Sequence, residues 1–175
     1  IGSILSGGGS HPSSYTNTAE QWYQMYAEYQ QKALQSTSEI PIIYGIDAVH
    51  GNNNLYGATI FPHNIGLGAS NNQDLVREIG LNVAKDINAT GLNWNFAPAV
   101  SIVQDIRWGR TYESFSEDVL RVEILGSAYI EGLQSQGVMA TTKHYIGERM
   151  MAWIDKIVMK IPFVQIIYSG VKDIS

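Results

Sequence analysis

The clearest helical period begins after Thr18. Trp22, Tyr26, Tyr29 and Ala33 recur at three- and four-residue spacing, and Thr18 with Gln21 matches the reciprocal pattern that satisfies free backbone N–H groups at a helix start. The spacing predicts a helix over about 18–36. Next, Ile40-Pro41-Ile42-Ile43-Tyr44-Gly45-Ile46-Asp47 is a nearly continuous apolar run, as expected for a parallel strand covered on both faces and closed by a carboxylate. A Gly- and Asn-rich stretch from Gly51 to Gly68 carries the chain to Ser70. Leu75, Ile79, Val83 and Ile87 then lie one turn apart until Gly91, a second helix with its stop. Leu92 to Pro98 alternates apolar and polar side chains and predicts a strand. After a polar loop, Ser114 and Glu117 form another capping pattern. Val119, Ile124, Leu125, Ala128, Tyr129 and Leu133 build a third amphipathic helix before Gly137. Val138 to His144 reads as one more strand, and Ile4-Leu5 as the stub of an earlier one.

Regular alternation of strands and helices implies an α/β fold with a parallel sheet. An open doubly wound sheet and a β/α barrel both satisfy it. A closed barrel takes about 250 residues and eight units, so a barrel parent leaves roughly half of one in these 175 residues. The segment after Glu148 changes character: it holds one glycine, Gly170, of the chain's 17 and three of its five methionines. There Trp153, Ile157 and Ile161 suit a helix face and Phe163 to Tyr168 a strand, while Asp155, Lys156 and Lys160 prevent a membrane span. The expected division is therefore residues 1–148 and a divergent or truncated tail, 149–175.

Composition narrows the function. With 45% hydrophobic and 15% charged residues the chain is a globular sequence outside the disordered class. Eleven Lys and Arg against 16 Asp and Glu, a net charge of -5, exclude the basic footprint of a nucleic-acid binder. The absence of cysteine removes disulfides, thiolate metal sites and a cysteine nucleophile. The chain opens on Ile1-Gly2-Ser3, where a signal segment would show a charged and then apolar run.

In parallel β/α folds ligands bind at the carboxyl ends of strands. Asp47 ends one strand with His50 just beyond it, Lys143 and His144 end another, and the loop after the Trp94 strand supplies Arg107-Trp108-Gly109-Arg110 followed by Glu113. A carboxylate, an arginine, a lysine and a histidine together donate and accept for several vicinal hydroxyls, and Trp108 and Tyr112 offer faces for a sugar ring. The same residues also read as structural: Asp47 capping a turn, Arg110 paired with Glu113 or Glu117, His144 a satisfied core histidine. Ser6-Gly7-Gly8-Gly9-Ser10 lacks the Lys-Ser/Thr of a phosphate loop and reads as a strand exit. His50 and His63 stand thirteen apart without metal-ligand spacing, so no metal is expected. Asn88-Ala89-Thr90 matches a glycosylation acceptor at a helix end.

Four segments, in this order, carry a resemblance: Ile40 through Asp47 continuing as Ala48-Val49-His50-Gly51; Gly57-Ala58-Thr59-Ile60-Phe61-Pro62-His63-Asn64; Arg107-Trp108-Gly109-Arg110 with Tyr112-Glu113-Ser114-Phe115-Ser116-Glu117-Asp118; and Lys143-His144-Tyr145. Over about residues 1–148 the chain resembles glycoside hydrolase family 3, in its β-glucosidase and exo-β-glucanase branch. The resemblance implies part of a TIM-like β/α barrel cleaving terminal β-linked glucose with retention, no organic cofactor, a β-glucoside or β-glucan oligosaccharide as partner, and an extracellular or periplasmic location. By motif position, Asp47, Arg110, Lys143 and His144 would hold the hydroxyls of the innermost glucose unit, the glycone.

A retaining glycosidase needs two carboxyl groups about 5 to 5.5 Å apart. The family's nucleophile, an aspartate in a Ser-Asp-Trp type motif, has no counterpart here, and after Glu148 the only acids are Asp155 and Asp173. Gly147-Glu148-Arg149-Met150 stands where the family continues with Gly-Asp-Gly. The expectation is a chain carrying the glycone-binding half of a site, with the catalytic residues unidentified. The alternatives are a non-catalytic sugar-binding module, or an inert fragment whose unpaired strand edges self-associate or await the remainder of the barrel.

Overall fold

The structure is a computed structural model that describes residues 1–7, 10–12 and 16–144. The chain divides into two compact units, Ile1–Lys143 and His144–Ser175. The helix and strand expected within 153–168 lie outside the described residues.

The first unit is a parallel sheet of four strands in the order β1-β2-β3-β4: β1 Ser3–Ser6, β2 Ile43–Ile46, β3 Trp94–Asn95 and β4 Met139–Ala140. The connections are helical: α1 Ala19–Leu34 joins β1 to β2, α2 Asn64–Ser70 and α3 Gln73–Ala89 join β2 to β3, and α4 Val119–Gln134 joins β3 to β4. The earlier strand suggested by Ile4-Leu5 is therefore a full partner of β2.

Helix α1 starts as the sequence predicts. The Thr18 hydroxyl accepts from the Gln21 N–H at 3.4 Å and the Gln21 side chain accepts from the Thr18 N–H at 3.0 Å. Trp22 is fully buried and donates its indole N–H to the Asn54 carbonyl.

Strand β2 is shorter than its apolar run. The Gln30 amide of α1 takes both backbone groups of Ile42, accepting from its N–H at 3.0 Å and donating to its carbonyl at 2.6 Å. Ile40 and Ile43 are exposed, so two-sided cover is confined to Tyr44, Gly45 and Ile46. The alternating segment 92–98 pairs only at Trp94–Asn95, before Pro98, which has no N–H for a ladder; its bond to Ala97 is cis. Beyond the strands, one further parallel bridge joins Ala99 to Lys143.

Three other expectations are corrected. The Gly- and Asn-rich stretch ends in helix α2, which two glycines in seven residues concealed. A Cβ on Gly68 would overlap the Phe115 carbonyl oxygen, so this glycine is demanded by close packing. Helix α4 is capped by Asp118, whose carboxylate accepts from the Leu120 N–H at 2.8 Å, and not by Ser114 with Glu117. Ser114 is buried and donates its hydroxyl to the carbonyls of Ser101 and Ser116. Finally, the inward faces are offset from the predicted stripes: α3 buries Val76, Ile79, Val83, Ala84 and Ile87 and leaves Leu75 exposed, while α4 buries Val122, Leu125, Tyr129, Ile130 and Leu133 and exposes Val119 and Ile124. Where α3 and α4 cross, Gly80 and Gly132 let the backbones approach.

Candidate functional site

Asp47 is the first residue past β2, and its surroundings are built to fix it there. Its N–H donates to the Ser6 carbonyl at the end of β1, and its carbonyl accepts from the Asn54 side chain at 3.1 Å. The next residue, Ala48, is clamped by Asn95 at the end of β3: the Ala48 N–H donates to Asn95 Oδ1 and Asn95 Nδ2 donates to the Ala48 carbonyl, both at 3.0 Å and fully buried. Gly7, leaving β1, has its α-carbon so close that a Cβ would lie 3.0 Å from that of Asp47.

Lys143 arrives from the far side of β3. Its backbone is fastened beside that strand's exit, its N–H donating to the Pro98 carbonyl and its carbonyl accepting from the Val100 N–H. Its ammonium donates to Asp47 Oδ1 at 2.8 Å, joining residues 96 apart in sequence. The Lys143 side chain is 17% exposed and that of Asp47 40%, so the pair opens to solvent on the carboxylate side.

Arg110 precedes a short 3₁₀ turn, Thr111–Glu113, and grips Glu113 with two parallel hydrogen bonds of 2.6 Å, from Nε to Oε1 and from Nη2 to Oε2. This is the Arg110–Glu113 pairing of the structural reading. The Asn64 side chain of α2 donates to the carbonyls of Glu113 and Ala99, tying the turn to the strand-end loop. Its hydrogen bonds to the Glu113 carboxylate hold the Arg110 guanidinium above its ordinary pKa, with a smaller push from the more distant Asp47 carboxylate. His144, the first residue of the second unit, is part-buried with a left-handed φ of 66°.

The approach of His50 and His63 is the feature that sequence distance hid. Phe61 N–H donates to the His50 carbonyl and the His50 ring bonds the Phe61 carbonyl, closing the loop at a neck that lays the two imidazoles 4.0 Å apart between centroids. Tyr112 meets His63 edge to face at 4.6 Å. Burial first, then the neighbouring His50, push His63 below the usual imidazole pKa, with Glu113 pulling the other way. Among the described residues no group of three metal-ligating side chains assembles.

The rim thus presents a carboxylate beside an ammonium, a guanidinium–carboxylate pair and an exposed phenol ring, a set able to accept and donate hydrogen bonds around a polyhydroxylated ligand. A parallel sheet with helical crossovers and charged side chains gathered past its strand ends defines a portion of a β/α barrel. The chain belongs to glycosyl hydrolase family 3: the model of that family's N terminal domain matches residues 1–152. A second family model, of a protein of unknown function, matches residues 135–175. The chain is 33% identical over 174 residues to a lysosomal β-glucosidase of Dictyostelium discoideum, covering 88% of this chain and 21% of that protein. It is 35% identical over 116 residues to a periplasmic β-glucosidase of Salmonella typhimurium, covering 63% and 14%. The solved exo-1,3/1,4-β-glucanase of a Pseudoalteromonas species superposes with a TM-score of 0.76 at 42% identity, covering 83% of this chain and 20% of that one. The chain therefore spans about a fifth of the length of the Dictyostelium relative.

Proposed function

We propose that this chain supplies the glycone-binding part of a retaining, exo-acting glycoside hydrolase site that removes terminal β-linked glucose from β-glucosides or β-glucan oligosaccharides. The observation that carries this reading is the Asp47–Lys143 pair at the strand ends, with the Arg110–Glu113 pair in the loop that follows β3. A carboxylate fixed by an ammonium accepts two hydroxyl hydrogens of a sugar, while Lys143 and Arg110 donate to its oxygens and His144 completes the set. Such charged hydrogen bonds strengthen as the ring distorts toward an oxocarbenium-like transition state. The names of the lysosomal and periplasmic relatives support a location outside the cytosol. We take residues 1–148 as the barrel part and 149–175 as a tail of separate character, a division supported by the compact unit ending at Lys143 and the second family model beginning at 135.

A second reading, sugar binding without hydrolysis, is favoured by the state of the two rim carboxylates: Asp47 is paired with Lys143 and Glu113 with Arg110, which suits hydrogen bonding better than nucleophilic attack. One pair of assays on the purified chain separates the readings. Glucose binding is followed by NMR titration and aryl β-glucoside turnover by absorbance, each with Asp47→Ala. Binding that Asp47→Ala weakens by about tenfold or more supports the glycone site. Turnover that also depends on Asp47 establishes hydrolysis, and its absence leaves the binding reading. No glucose binding by the parent chain overturns both.

A further inference from the structure

We propose that the Tyr112 ring, braced by the contacting imidazoles of His63 and His50, is the platform for the second sugar unit, the one linked to the terminal glucose. This rests on the glycone reading of Asp47, Lys143 and Arg110. Tyr112 is 44% exposed, yet its orientation is set from behind: its ring meets His63 at 4.6 Å, and His63 lies 4.0 Å from His50. Its backbone is equally fixed, within the 3₁₀ turn that Asn64 ties down through the Glu113 carbonyl. The same turn follows directly on Arg110, and through His63 the Tyr112 ring is linked to His50, three residues past Asp47 at the exit of β2. Tyr112 therefore stands at the same strand-end rim as the proposed glycone groups.

A β-linked glucose unit presents C–H groups on its two faces and hydroxyls around its edge. An aromatic ring held rigid and half-exposed matches that face at little entropic cost, and its phenol oxygen remains available to the edge. A flexible exposed side chain would have to be ordered on binding; Tyr112 is ordered already. The bracing pair gains a role that neither metal binding nor the glycone site gives it. Burial and the neighbouring His50 push the His63 pKa down, which disfavours a charge at the centre of that contact.

The test compares glucose with the β-linked disaccharides cellobiose and laminaribiose as NMR titrants of the purified chain. The parent should bind at least one disaccharide about fivefold more tightly than glucose. In Tyr112→Ala that ratio should fall to about one, and Tyr112→Phe should restore most of it. Tyr112 ring signals of the parent should move with the disaccharide and not with glucose, a readout independent of whether the alanine variant folds. A ratio unchanged in Tyr112→Ala, or ring signals indifferent to the disaccharide, overturns the inference while leaving the glycone site intact. If glucose fails to bind the parent, the glycone reading fails and this inference falls with it.

Discussion

Asn95 is the side chain on which the position of Asp47 most directly depends, and its removal has a calculable effect. Asn95→Leu keeps the branched side-chain shape while deleting both hydrogen bonds to Ala48, each 3.0 Å long, and the one to the Tyr129 hydroxyl. Ala48 and residue 95 are fully buried, so water does not replace the lost partners. A buried peptide group left without a partner costs about 1–3 kcal/mol. The Tyr129 hydroxyl stays 3.5 Å from the Ala48 carbonyl and relieves part of one loss. The expected destabilisation is roughly 2–5 kcal/mol, which lowers a urea midpoint by roughly 1–2 M. Asn95→Asp supplies a signature that simple loss of packing does not. Its second oxygen faces the Ala48 carbonyl, and burial adds to that repulsion, so the folded state holds the carboxyl proton and the folded pKa is raised. The proton-dependent stability is then fully present below the ordinary carboxyl value of about 3.9 and is lost as pH rises through the raised value. Measured against the parent, Asn95→Asp should be as unstable as Asn95→Leu at pH 7 and should recover toward pH 4. A urea midpoint for Asn95→Leu within about 0.3 M of the parent, or an Asn95→Asp deficit that ignores pH, would refute the clamp.

Two further outcomes are expected. Gly132→Ala drives a Cβ into the Arg77 carbonyl oxygen and places it 2.8 Å from the Leu81 nitrogen, both backbone atoms of α3, so the helices must part; overpacking of about 1–3 kcal/mol should lower the circular-dichroism melting temperature by roughly 2–12 °C, whereas Gly109→Ala, with nothing within 4 Å, should leave it unchanged. His63 is held below the usual imidazole value by burial and by His50, against the pull of Glu113 and beside the Tyr112 ring. Its contribution to stability is thus present above about pH 6.5 and lost as pH falls through the depressed value. Urea midpoints of the parent should therefore drop more between pH 7.5 and 5 than those of His63→Phe, and equal slopes would remove His63 as the cause.

Local chemistry made some elements legible and tertiary demands hid others. Helix α1 was readable because Thr18 and Gln21 satisfy each other within four residues, and the parallel order followed from alternation alone. Helix α2 was hidden because Gly68 serves the Phe115 carbonyl rather than its own helix, so a packing requirement mimicked a loop signal. Ser114 misled in the same way: its hydroxyl is spent on Ser101 and Ser116, and the cap passes to Asp118. The rule that strand ends converge was enough to bring Asp47 and Lys143 onto one rim, although 96 residues separate them. The contact of His50 with His63 had no comparable signal, since it arises from a loop whose ends are pinned by Phe61.

The Asp47–Lys143 pair has a consequence for which cation that position accepts. Its partners lie just past β2 and beyond β4, with β3 between them, so the bond crosses two interstrand spacings of about 4.8 Å each. Charge alone does not meet that span; reach does. A four-carbon stem bridges the skipped strand, and a short cation such as histidine would leave the gap open. The pair also ties together strand exits that share no ladder, so its length depends on the curvature of the sheet at β3.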